Sequence, residues 1–113
     1  MLARASRLRR NRDIVRVLKR GRILRTSHLK LYALSSSLQN SRATVVISKK
    51  VDKRATVRNR NRRRVIEIVR ELLPQLQGHF DILIYINADL KDVGSADLRR
   101  EVGEGLKKQG VLL

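Results

Sequence analysis

Apolar residues follow two periods along this chain. Val65, Ile66, Val69, Leu72, Leu73 and Leu76 recur at helical spacing and form one stripe. Traced back toward the amino end, the stripe passes to Arg58, Asn61 and Arg62. The carboxyl half of this helix can therefore pack on a core, and the amino half is expected not to. The helix should start near Val57. Pro74 should end or kink it, and Gly78 completes the exit. Ile14, Val17 and Leu18 give a second helical face, with Asn11 as cap, Asp13 in the first turn and Gly21 as the stop. Ser95 and Asp97 open a third pattern through Leu98, Val102 and Leu106, which Gly103 and Gly105 weaken.

A period of two marks the strands. Residues 29–35 put Leu29, Leu31 and Ala33 on one face and Lys30, Tyr32 and Leu34 on the other. Residues 43–48 are rich enough in β-branched side chains to suggest a central strand. Residues 80–87 are almost continuously apolar, as in a strand covered on both faces. Part of another strand fits between residues 21 and 29, and the pattern does not resolve it. The order is helix, strands, helix, strand, helix, an α+β sandwich in a single domain over 1–113. Residues 1–10 are expected to form a flexible basic arm.

Charge changes the picture. The formal net charge is +17, unevenly spread: residues 1–66 hold 21 Lys/Arg against two acids, and residues 67–113 hold 6 against 8. A hydrophobic content of 42% argues against a disordered basic tail. A folded domain with one basic half points first to nucleic acid. A membrane surface is the weaker option, because no apolar run approaches the ~20 residues of a spanning helix. The absence of cysteine excludes disulfides and zinc–thiolate sites and fits a cytoplasmic location. The basic start of the chain lacks the serine richness of a transit peptide and has its own helical pattern.

The charge peaks where the main helix begins. Arg58 to Arg64 comprises five arginines and two asparagines with no acid. Like charges three and four apart repel, and cations at a helix amino end oppose the helix dipole. Local rules broken together mark a functional site, here a polyanion held against the helix start. Arginine offers phosphate a bidentate fork, and asparagine both donates and accepts toward a 2′-hydroxyl or base edge. His28 and His79 stand isolated from acids and cysteines and read as ordinary histidines. The acids show no metal-ligand spacing. No catalytic residue is expected.

These residues carry a resemblance. Ser48-Lys49-Lys50, then Ala55, then Arg58-Asn59-Arg60 with Arg62, Arg63 and Arg64 form a strand, a basic loop and an Arg-Asn-Arg helix start. Arg7-Leu8 leads into a basic helix ending at Gly21, a strand carries Leu31-Tyr32, and Asp81 opens the apolar strand. Over about residues 6–110 the chain resembles the protein subunit of bacterial ribonuclease P. The resemblance implies an α-β-β-β-α-β-α sandwich, ribosomal protein S5 domain 2-like, with a left-handed β-α-β crossover. It implies a role in endonucleolytic removal of the 5′ leader from precursor transfer RNA by a large catalytic RNA with bound Mg2+, held mainly by that RNA. Lys49, Lys50, Lys53, Arg54, Arg58, Asn59, Arg60, Arg62 and Arg63 would face the catalytic RNA, one protein to one RNA. Tyr32, with Ile14, Leu18, Arg10 and Arg12, would line the leader cleft.

The chain departs from the family pattern in three respects. Ile14 and Leu18 stand where phenylalanines are frequent, and stacking on an aromatic ring is worth about 1–3 kcal/mol per base. Val51-Asp52-Lys53-Arg54 replaces a loop that often contains glycine, and Asn87 replaces a frequent arginine. Tyr32 also has the ordinary option of a strand tyrosine that packs its ring, and Asn59 that of satisfying the helix start. A structural RNA-binding protein of ribosomal type is the competing reading. A DNA-compacting protein fares worse, since no helix-turn-helix spacing is evident.

Overall fold

The computed structural model describes residues 2–113. Its helices are α1 (Asn11–Arg20), α2 (Ala55–Leu72) and α3 (Ser95–Lys108). Its strands are β1 (Arg22–Arg25), β2 (Leu29–Ser35), β3 (Arg42–Ile47) and β4 (Phe80–Ile86). They form one sheet in the order β1-β2-β4-β3. The β1/β2 and β2/β4 pairs are antiparallel, and β3 runs parallel to β4 with α2 as the crossover between them. The expected α-β-β-β-α-β-α order is present.

Alternation assigns the two faces of the sheet. Leu29, Leu31, Ala33, Ala43, Val45, Ile47, Ile82, Ile84 and Ile86 share one face and one core with Val65, Ile68 and Val69 of α2 and Leu98, Val102 and Leu106 of α3. Each such aliphatic burial contributes about 1.5–3 kcal/mol. Gly105 lets α3 come this close: a Cβ there would meet the Leu31 Cδ1 atom. The glycine that weakens the helical pattern is therefore a packing requirement. The opposite face carries Tyr32 and Leu83, which pack with Leu8 and Val17 and, at their margins, Ile14, Leu34, Val46 and Tyr85. Among the described residues, the one helix that lies there is the ten-residue α1.

Several local expectations shift. β3 is an edge strand rather than a central one. Its edge is partly covered by the amino-terminal segment, where Arg7 bridges to Ala43 and the Leu8 N–H donates to the Ala43 carbonyl at 2.9 Å. This blunts an exposed edge. Residues 2–10 thus lie against the body instead of standing away as an arm, with Leu2 and Leu8 buried and a 3-10 turn at Arg4–Ser6. The cap positions are Arg10 and Gly94, so Asn11 and Ser95 are first helical residues. α2 starts at Ala55, before Val57, and Pro74 lies in a 3-10 turn (Leu73–Gln75) that closes it. Gly78 takes φ +133°, a conformation L side chains rarely adopt. The unresolved stretch after Gly21 is β1.

Candidate nucleic-acid interface

The basic loop and the start of α2 form one rigid junction. The Lys50 N–H donates to Ser48 Oγ at 2.9 Å. Asp52 accepts from the Arg54 guanidinium (2.9 and 3.1 Å) and from the Arg54 N–H (2.8 Å). These bonds hold the Asp52 carboxyl down at about 2. Arg58 Nη1 donates to the carbonyls of Asp52 (3.1 Å) and Lys53 (2.8 Å). The loop therefore needs no glycine, and it leaves Lys49, Lys50, Lys53 and Arg54 exposed. Arg58 is half-buried and ties the loop down as well as adding charge.

Along α2, position decides role. Asn59, Arg60 and Arg63 point outward, and Arg62 donates to Asn59 Oδ1 at 2.6 Å. No acid among the described residues pairs with Arg60, Arg62 or Arg63. Asn61 is turned inward at 2% exposure. It donates to Asp89 Oδ1 and accepts from the Leu90 N–H, both at 3.1 Å. Arg64 donates to the carbonyls of Leu90 (2.6 Å) and Val93. Val57 and Asn61 are buried with Val65, so the amino half of α2 is packed too, through a polar anchor rather than a hydrophobe. Two members of the Arg/Asn run thus fasten the loop after β4. Arg58 ties down the basic loop, Arg62 is half-exposed, and Asn59, Arg60 and Arg63 face out.

On the α1 face, an ion cluster sets the helix in place. Arg42 binds Asp81 bidentately at 2.8 and 2.9 Å and reaches Asp13 at 3.3 Å, while Arg16 holds Asp13 at 2.7 Å. The bond to Asp81 raises the Arg42 pKa against the opposing effect of burial. Beyond this cluster, the sheet surface is only partly covered. Lys30 Nζ lies 5.9 Å from the Tyr32 ring centroid and 5.7 Å from that of Tyr85. Tyr32 is 8% exposed, and Tyr85, two register rows away on the same face, is more open. Leu18 is exposed and Ile14 half-buried. Ile14 shares a groove of about 610 Å³ with Leu8, Thr44, Arg62 and Arg63, joining α1 to the basic face of α2.

Arg10 and Arg12 do not line this groove. They face another cleft, with Arg16 and Arg20. Sequence reasoning missed Lys30, Tyr85 and Arg42. The signal for the first two was parity, since Lys30, Tyr32 and Tyr85 alternate onto one face. The described residues include no group of three or more His, Cys, Asp or Glu able to hold a metal, and no helix among them is long and apolar enough to cross a membrane.

Fold and surface define a class: a small, strongly basic α+β protein whose unpaired cations gather at one loop–helix junction and around one short helix. The family model for ribonuclease P matches residues 2–110, and the chain belongs to that family. It is 36% identical over 108 residues to the ribonuclease P protein component of a Pseudanabaena species, covering 95% of this chain and 90% of that one. The counterpart from Chloroflexus aurantiacus is 34% identical over 113 residues, covering 99% and 82%. Among solved structures, the RNase P protein from Thermotoga maritima superposes with a TM-score of 0.79 at 27% identity, over 90% of this chain and 96% of that one. A Staphylococcus aureus RNase P protein superposes at 0.85 with 22% identity, over 96% and 91%, and shows the shared fold.

Proposed function

We propose that this protein is the protein subunit of ribonuclease P, acting in the cytoplasm with one catalytic RNA to remove the 5′ leader of precursor transfer RNA. The observation that carries the reading is the loop–helix junction. Asn61 and Arg64 fasten it from inside, Arg58 closes the loop, and Lys49, Lys50, Lys53, Arg60 and Arg63 are left for phosphates, with Arg54, held by Asp52, and Arg62, bonded to Asn59, beside them. A surface rigid before binding loses little freedom on binding. Neutralising six to eight phosphates would make affinity fall by several orders of magnitude across a modest salt increase.

The leader would lie on the half-open sheet face. Tyr85 is the more accessible ring, Lys30 adds charge between the two tyrosines, and Ile14 and Leu18 add apolar contact. Mg2+ bound to the RNA would supply the hydrolytic chemistry. This chain's part is to hold the two RNAs together and screen their repulsion. Cleavage of a precursor transfer RNA by its cognate RNA at low magnesium, with and without this protein, tests the reading. Restored cleavage at the mature 5′ end supports it. RNA binding without stimulation would instead favour a structural binder of ribosomal type.

A further inference from the structure

A second cleft, of about 660 Å³, lies on the other flank of α1. At about 100° per residue, Arg16 and Arg20 sit at least ~120° round the helix from Ile14 and Leu18. One helix therefore presents an apolar flank to the tyrosine face and a basic flank to this cleft. The amino-terminal segment adds Arg4, Arg7, Arg9 and Arg10. The facing wall is the serine run Ser35, Ser36 and Ser37. Eight guanidiniums thus line the cleft against two carboxylates, Asp13 and Asp81. Both acids are engaged at its floor by Arg42 and Arg16. Arg4, Arg7, Arg9, Arg10 and Arg20 are exposed, and no acid among the described residues pairs with them.

We infer that this cleft binds an RNA phosphate backbone without reading its bases. The inference rests on the ribonuclease P reading and extends it to a second strand contact. Arginine forks and serine hydroxyls both donate to phosphate oxygens. No aromatic residue lines the cleft, so bases have no ring to stack on. A purely solvating surface would mix in acids, as α3 does with Asp97, Glu101 and Glu104 among its basic residues. The basic surface is also continuous: Arg7 and Arg9 line both this cleft and the groove holding Ile14, Arg62 and Arg63. A backbone leaving the α2 face can follow it round the amino-terminal segment. The catalytic RNA and the precursor offer the same phosphate chemistry, and the experiment below tells the two sources apart.

The chain has no cysteine, so Ser37→Cys creates a unique attachment point for a tethered iron–EDTA probe. Radical cleavage would be mapped on the assembled full-length holoenzyme, with Lys53→Cys as the probe on the α2 face. Cuts from position 37 at nucleotides distinct from those reached from position 53 are expected, and which RNA carries them identifies the source. No protection-dependent cuts on either RNA would overturn the inference. In parallel, the triple variant Arg4→Gln, Arg9→Gln, Arg20→Gln would be titrated with the catalytic RNA and with precursor across a salt series. Affinity for one of them should fall about tenfold or more, and the log–log salt slope should flatten by about 2–3. Circular dichroism checks that the variant folds. A wild type that never stimulates cleavage overturns the functional reading and this one with it. A stimulating wild type matched by the triple variant at every salt concentration overturns this inference alone.

Discussion

The two faces of the sheet meet different neighbours. One is sealed by α2 and α3, and its side chains from Leu29 to Ile86 are buried almost completely. The other has only α1 across one end, held by Arg42, Asp13 and Asp81, and leaves Lys30, Tyr85 and Val46 partly open. The sealed face is packed with aliphatic side chains and specifies the fold. The half-covered face is stable because a charged clamp takes the place of a second helix layer, and the surface so released is where function is proposed. The same economy divides α2: its inward residues bind the core and the Asp89–Val93 loop, and in its amino half Arg60 and Arg63 stand exposed with no ion-pair partner among the described residues.

Breaking the clamp should have the largest effect. Arg42→Met leaves the buried Asp81 carboxylate without its partner and Asp13 held by Arg16, and urea unfolding should show a loss of about 3–5 kcal/mol. Insertion of a methyl on the sealed face should cost less. Gly105→Ala drives a Cβ into Leu31 and is expected to lose about 1–3 kcal/mol of stability. Precursor affinity of the variant that remains folded should be unchanged, because that face meets no ligand. On the half-open face the pattern reverses. Tyr85→Leu should leave the unfolding midpoint nearly in place while weakening precursor binding by about 1–3 kcal/mol, provided a leader base stacks there; equal binding of long-leader and leaderless substrates by wild type and variant alike would remove that contact.

The smallest effect belongs to Asp52. Its folded pKa of about 2 lies below the unfolded value, so its contribution is present above the unfolded pKa and is lost as pH falls through about 2. Carboxyl NMR titration should show a midpoint near 2 for Asp52, moving toward the ordinary carboxylate range in Arg54→Gln. A midpoint near 4 in the wild type would mean that the Arg54 bonds do not persist in solution.

Periodicity disclosed β2 at its observed bounds, β4 as a strand covered on both faces, and the three apolar positions of α3. It allowed a strand between residues 21 and 29 without resolving β1, because four residues with an exposed Ile23 carry no burial alternation. It misplaced β3 because β-branched content reports a packed strand, and an edge strand covered by chain and helix is packed as well. Leu2 and Leu8 are single apolar residues in a basic run, too few to declare that the segment docks. Within the site, the Arg/Asn run was legible as a cationic helix start. Which of its members turn inward was not, since Asn61 and Arg64 find partners 26–29 residues away that no local pattern names. The Arg42–Asp81 pair, 39 residues apart, was hidden for the same reason.

The central claim is that the outward cations of α2 bind the catalytic RNA. Its most direct test is cleavage of a precursor transfer RNA by the cognate ribonuclease P RNA at low magnesium, comparing no protein, wild type and Arg60→Ala with Arg63→Ala. Those two side chains make no hydrogen bond or ion pair among the described residues, so the variant should unfold like wild type. The account predicts that wild type restores cleavage at the mature 5′ end and that the double variant needs at least about tenfold more protein, with a shallower salt dependence. Equal stimulation by the folded double variant and wild type would contradict it.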